Sequence, residues 1–286
     1  MLISGRHWIK DSLFTHYKME PSWTMAMSVL KCSMQNARMK AEWAYKERPW
    51  KTDHFDLSES YIAKTEFDGE DNAMAYDFKK EQKEFYVPKN RPEIVNVPKL
   101  NDIAVRGKGN PNEEGGAYQQ AISVLYAVAY TLKMSYKSNY KIEGFFEYVV
   151  PPLEGFWWQD SVDGVDYSDK STFNWISVIR LPDFVKEKDF EWAKEAASQK
   201  KKLDCSSAEF LAVDEGMCVQ MMHLGAYDDE PATVAVMDKF LEENGYENDI
   251  NGERLHHEIY LSNAQKVAPE KRKTVIRHPI RKIRRS

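Results

Sequence analysis

Residues 93–109, EIVNVPKLNDIAVRGKG, read as extended chain, and the succession of elements after them decides the fold. Pro98 marks an edge or a bulge, because proline gives a ladder no N–H. GNPNEE at 109–114 is a turn and helix start. Tyr118, Ile122, Leu125, Tyr126, Ala129 and Leu132 then recur at three- and four-residue spacing, the stripe of an amphipathic helix. FFEYVVPPLEGFWWQ (145–159) and NWISVIRL (174–181) read as strands, and DFVKEKDFEWAKEAASQKKK (183–202) as a shorter helix whose Lys-rich end suits the negative pole of its dipole. The order then repeats. SAEFLAVDEGMCVQMMHLG (207–225) is extended. A helix comes next, with Asp229 as candidate cap, Pro231 in the first turn, Val234, Met237, Phe240 and Leu241 as the stripe and Gly245 as the stop. HHEIYLS and KTVIRHPIRKI close the chain as strands. Two strand-helix-strand-strand units predict an α/β (α+β) two-layer sandwich with pseudo-twofold symmetry, helices on one sheet face and a concave ligand cleft on the other. The repeat is architectural, without residue-by-residue self-similarity.

Outside this region the character changes. Residues 1–73 show no sustained period beyond a short helix near 23–45, and the acidic, polar stretch 51–72 reads as a linker. We read 1–73 as an extension and 74–286 as the domain. Across the 286 residues, 40 Lys and Arg face 45 Asp and Glu, a net charge of −5 that argues against direct, wholly electrostatic nucleic-acid binding. With 42% hydrophobic and 13% aromatic residues there is enough apolar material for a sizeable core. No apolar run reaches the ~20 residues of a membrane span, and Arg6, Lys10 and Asp11 interrupt any signal-peptide core at the start. Cys32, Cys205 and Cys218 are an odd, widely spaced set with no C-x-x-C pair, so a reduced, cytoplasmic protein is expected. The tail 271–286 holds eight Lys and Arg, but its apolar positions make it a final strand with a frayed basic end.

Candidate chemistry concentrates in a few places. Along 255–261, alternation puts Leu255, His257, Ile259 and Leu261 on one face, read as core under a helix. His256, Glu258 and Tyr260 take the other, read as facing the cleft. A carboxylate among aromatics in a half-dry cleft should have its pKa raised by desolvation. Glu258 is then a general base, a counter-charge for a cationic aromatic ligand, or an ordinary surface acid. In 153–158, Trp158 shares a face with Glu154 and Phe156, whereas Trp157 shares the other with Leu153, so at most one of the two indoles lines the cleft. Trp175 on the next strand adds a third flat, apolar wall. His223, near a strand end, is of a kind that is more often structural than catalytic, and is kept as a ligand-contact candidate. No histidine spacing suits zinc, since the adjacent His256 and His257 point apart. Gly107 and Gly109 lack the phosphate-loop pattern and read as a turn.

These segments together resemble a known family. KKEQKEFYVPK, VRGKGNPN, AISVLYAVAYTLK, YVVPPLEGFWW, VIRLPDFV, EGMCVQMMHLGAYDDEP, HHEIYLS and KTVIRHPI occur in the order found in GyrI-like small-molecule-binding proteins of the stand-alone kind. The resemblance begins at Met74. It implies the duplicated fold shared with effector-binding domains of multidrug-responsive activators, and a cleft holding a glutamate and aromatics. Glu258 and Tyr260 are its implied catalytic pair, and Trp157 and Trp158 its tryptophan-rich wall. Glu154, Trp175, His223 and His256 are kept as further ligand-contact candidates. Some similar proteins hydrolyse the strained cyclopropane of DNA-alkylating natural products. The leading expectation is therefore a detoxifying protein that binds, and as a metal-independent hydrolase turns over, a planar hydrophobic electrophile with no cofactor. The alternatives are a drug- or toxin-sequestering module and a partner-binding inhibitor that uses the basic tail or the extension.

Overall fold

The structure, a computed structural model, describes residues 75–160 and 169–284. The extension read over 1–73 lies outside the described residues. From residue 93 the elements come in the expected order. Strand β1 (Glu93–Val97) and strand β2 (Leu100–Lys108) are separated by Pro98 and Lys99. Helix α1 (Ala117–Lys133) carries the predicted stripe and buries Leu125, Val128 and Leu132. Strands β3 (Leu153–Gln159) and β4 (Phe173–Arg180) complete the first unit. Pro151 and Pro152 cannot donate to a ladder, and the strand expected from 145 begins only after them.

Helix α2 (Glu187–Lys201) is started by Asp189, whose carboxylate accepts from the Lys186 N–H at 2.9 Å. The second unit comprises β5 (Glu209–Val213), β6 (Gly216–Leu224), α3 (Glu230–Asn244), β7 (Tyr246–Asn248), β8 (His256–Tyr260) and β9 (Lys273–Lys282). Pro231 sits in the first turn of α3, and Gly245 ends the helix in the left-handed region at φ 74°. No described helix is long and apolar enough to cross a membrane.

The strands pair antiparallel in the order β1-β6-β9-β8-β3-β4-β2-β5, with β7 added to β9. The two half-sheets meet at the β3–β8 pair. At the outer ends β1 runs on into β2, and β5 into β6. Val97 opposite Gly216 and Leu100 opposite Val213 keep one register across the interruption. The two edge ladders are therefore one bent ribbon, and the sheet returns to its own start. Each unit lends its first strand to the other, which covers the outer edge of each half-sheet.

Helix α1 covers β2 and β4 over Ile103, Val105 and Ile179, and α2 packs on α1 through Phe190, Ala193 and Ala197. Helix α3 covers Val219, Ile276 and Ile280 with Met237 and Leu241. On the opposite face of the second unit, two one-turn helices (Phe78–Glu81 and Lys83–Tyr86) bury Phe78 and Tyr86 against Met222, Ile259 and Val275.

This segment is part of the core, so Phe78→Ala should cost about 3–5 kcal/mol in urea unfolding, the usual range for a buried aromatic. Shortening the chain to begin at Arg91 should lose more than that, whereas beginning at Met74 should leave stability unchanged. A Phe78→Ala loss under ~1 kcal/mol, typical of a surface substitution, would contradict the assignment.

Candidate functional site

Strand β8 sorts its side chains by alternation as expected: His256, Glu258 and Tyr260 share one face, and His257 and Ile259 the other. The face that meets the helices is the reverse of the sequence expectation. Tyr260 packs with the core under α1, and Glu258 meets Glu230, the first residue of α3. Ile259 instead packs on Phe78 and Tyr86. Alternation fixes which residues travel together but not the side on which helices land. Helix α1 lies over β2 and β4 and α3 over β6 and β7, leaving β3 and β8 as the floor of a cleft between them.

Aromatic groups wall this cleft. Trp157 lies opposite His256 in register, and its indole N–H donates to the Tyr260 hydroxyl at 2.8 Å. The Tyr118 ring, from the first turn of α1, stands 5.3 Å from Trp157 and 5.2 Å from the fully buried Trp175. Tyr227, just before α3, meets Tyr260 edge-on at 5.7 Å. Close approach dictates glycine twice. A Cβ on Gly155 would come within 2.7 Å of the Trp157 indole nitrogen, and one on Gly107 within 2.2 Å of the Trp175 ring. Gly107 thus belongs to β2 and makes room for the indole, rather than to a turn. Burial, and then the charge of Glu258, push the Tyr260 phenol well above its ordinary value, so it remains a hydroxyl at neutral pH.

Behind the aromatics lies a row of polar groups. His256 Nε2 is 3.0 Å from Glu258 Oε1, and His256 Nδ1 is 2.7 Å from His278 Nε2. Glu230 is 1% exposed and Glu258 8%. Burial first and Glu258 second hold the Glu230 carboxyl well above the usual carboxylate range. Glu230, His256 and Glu258 bring one oxygen or nitrogen each within 4.8 Å of the others. A cation would need a bare histidine nitrogen there, whereas His256 meets Glu258 through a hydrogen bond that requires a proton between them.

Other sequence candidates lie elsewhere. Glu154 and Trp158 take the opposite face of β3 with Phe156. There His257 is clamped by two carboxylates, its Nδ1 2.9 Å from Glu215 and its Nε2 3.0 Å from Glu154. The second of these is an ion-pair contact without hydrogen-bond alignment. Arg277 pairs with Glu215 at 2.9 Å and also donates to Gln220 and to the Phe85 carbonyl. Burial opposes charge on Glu215, but His257 and Arg277 outweigh it and hold the carboxyl at about 2. Burial likewise opposes the imidazolium, yet Glu215 and Glu154 carry His257 up to about 9.

His223 has both ring nitrogens engaged, accepting from the Thr233 hydroxyl at 2.8 Å and donating to the Ala226 carbonyl at 2.9 Å. It fastens the turn that carries Tyr227 rather than facing the cleft. Sequence reasoning missed Tyr118, which passed as a stripe residue, and Glu230, which was given no role between the candidate cap Asp229 and Pro231. His278 was also missed, because nothing local marks it.

A cavity of about 1410 Å³ adjoins the cleft at Trp157, His256 and Pro231 and extends past the 249–255 loop to Phe156, Trp158 and Leu211 on the other face. Along it Asp214, Asp238, Glu242, Glu247 and Glu253 outnumber Arg106 and Arg254, which favours a cationic occupant.

Known proteins share this architecture. The family model of the GyrI-like small molecule binding domain matches residues 91–281. An uncharacterized conserved protein from Listeria innocua is 48% identical, over 72% of this chain and 100% of its own, with a TM-score of 0.68. A hydrolase from Listeria innocua is 46% identical over the same shares, with a TM-score of 0.66. A search of curated proteins found no match. The chain belongs to the GyrI-like small-molecule-binding family.

The two shifted groups opposite the cleft set a pH dependence of stability. His257 is raised from 6.5 to about 9, so its contribution is complete below 6.5 and lost as pH rises through 9. Glu215 is lowered from 4.5 to about 2, so its contribution is complete above 4.5 and lost as pH falls through 2. Urea unfolding should therefore show this network's full stabilisation between about pH 4.5 and 6.5. His257→Gln should remove the alkaline decline, and an identical decline in that variant would contradict the assignment.

Proposed function

We propose that the cleft takes a planar, hydrophobic small molecule against Trp157 and that Glu258 acts on it as a general base. The observation that supports this most is the Glu258 carboxyl itself. It is 8% exposed, with His256 at 3.0 Å and the hydroxyl-bearing Tyr260 beside it, and the large cavity opens next to it at Trp157 and His256. For a cyclopropane conjugated to a carbonyl the balance is simple. The water oxygen adds to a ring carbon, the strained C–C bond opens, and its electron pair moves onto the carbonyl oxygen. Glu258 takes the proton that the water loses, and that proton returns through solvent to the carbonyl oxygen. The Tyr260 hydroxyl, which accepts the Trp157 N–H at 2.8 Å, is our candidate donor to the developing negative charge. The relative named a hydrolase lends weight to an enzyme, and such turnover amounts to detoxification of an alkylating compound.

One observation favours a second reading. The acidic lining of the cavity suits capture of a cationic aromatic compound without turnover, with Glu258 as counter-charge.

Glu258→Gln separates the two. It keeps shape and hydrogen-bonding reach but removes the proton acceptor. Turnover of a cyclopropanoid alkylator should fall about 10²–10⁴-fold, while affinity for a neutral ligand changes little. No turnover in the natural protein, with selective weakening of cationic ligands in the variant, would favour capture. Undiminished turnover in the variant would remove Glu258 from the chemistry.

A further inference from the structure

We infer that Glu230 and Glu258 hold one proton between them, with Glu230 as its bearer, and that Asn248 and His278 are positioning residues that keep Glu258 the acceptor. The direction of each hydrogen bond fixes the direction of the next. The Ile250 backbone N–H donates to Asn248 Oδ1 at 3.0 Å, which fixes the orientation of the amide. Asn248 Nδ2 then faces His278 Nδ1 at 3.2 Å and also bonds the Asp238 carboxylate. An amide NH₂ only donates, so His278 Nδ1 accepts and the ring carries its proton on Nε2. That N–H donates to His256 Nδ1, which leaves the His256 proton on Nε2, where it donates to Glu258 Oε1. Each step has one donor and one acceptor. Burial, with His256 beside it, drives His278 well below its ordinary value and keeps that ring neutral.

Glu230 closes the chain from the other side. Among the described residues neither of its buried oxygens meets a donor, and an oxygen of its carboxyl lies within 4.8 Å of one of Glu258. Two bare carboxylates repel in so dry a place, so the contact requires a proton. The other groups facing Glu258 bring no positive charge to offset the pair. Tyr260, Tyr118 and Tyr227 are phenols, and Asp228 adds negative charge near Glu230. The nearby cation Arg272 lies over the Tyr227 ring at 5.1 Å. A cation bound by Glu230, His256 and Glu258 would have to reverse both histidines and the amide against the Ile250 N–H.

The kinetic consequence rests on Glu258 as the base of the proposed function, but the protonation pattern does not. If the pair works with one proton, turnover has an acid limb where it gains a second and an alkaline limb where it loses the first.

Two measurements on the full chain test this without any ligand. Long-range ¹H–¹⁵N NMR of histidine-labelled protein, with His256→Gln and His278→Gln for assignment, should show both rings neutral with the proton on Nε2 at pH 7. In Asn248→Asp the new carboxylate accepts, so the His278 proton should move to Nδ1. A proton on Nδ1 of either ring in the natural protein, or an imidazolium, overturns the relay. Carboxyl ¹³C titration should find Glu230 still protonated at neutral pH, and ionisation in the ordinary carboxylate range overturns the shared proton. Where turnover is measurable, Glu230→Gln should keep the acid limb and lose the alkaline one. Retention of both limbs overturns the role of Glu230, and absence of turnover in the natural protein counts against the base reading alone.

Discussion

The rest of the structure depends on His257 held between Glu154 and Glu215 inside the closed sheet. A side chain so paired cannot trade places with its neighbours, because a one-residue slip of β8 would send every residue to the other face. The slip would leave Glu154 without its cation and Glu215 with Arg277 alone, and breaking a buried pair costs about 3–5 kcal/mol. Register is thereby pinned, and with it His256, Glu258 and Tyr260 are presented to the helices. Arg277 ties the same carboxylate to β9, to Gln220 on β6 and to the Phe85 carbonyl. One cluster therefore joins both half-sheets and the leading segment.

Two buried polar systems flank β8, and their chemistry differs. The inner one is ionic, with an imidazolium and a guanidinium against carboxylates, and Phe156 stacks on its imidazole at 4.1 Å. The outer one is a directed chain of neutral groups that ends at Glu258. The first turns of α1 and α3 supply Tyr118 and Glu230 to it, so the positive ends of both helices face a site that carries negative charge. Rigidity on one side and a polarised acceptor on the other arise from the same alternation.

Much of the fold was legible in the sequence, because two rounds of strand, helix, strand and strand carry periods of two and 3.6 that only one class of architecture satisfies. The grouping of His256, Glu258 and Tyr260 was equally legible. The side on which the helices pack was not, since alternation is blind to it, and the cleft proved to lie between the helices. Nor was the exchange of β1 and β5 between half-sheets, which rests on ladders between residues more than a hundred positions apart. Glu230 and His278 escaped because a carboxylate at a helix start and a histidine beside a proline have commoner explanations. Of the other ligand-contact candidates, Glu154 meets His257, and His223 meets the Thr233 hydroxyl and the Ala226 carbonyl.

The most direct measurement is a crystal structure with a planar aromatic ligand bound, because the cavity reaches both faces of β3. The ring plane should lie on Trp157, with a polar atom of the ligand within hydrogen-bonding distance of Glu258 or Tyr260. A ligand seated on Phe156, Trp158 and Leu211 with Glu258 untouched would contradict the proposed site.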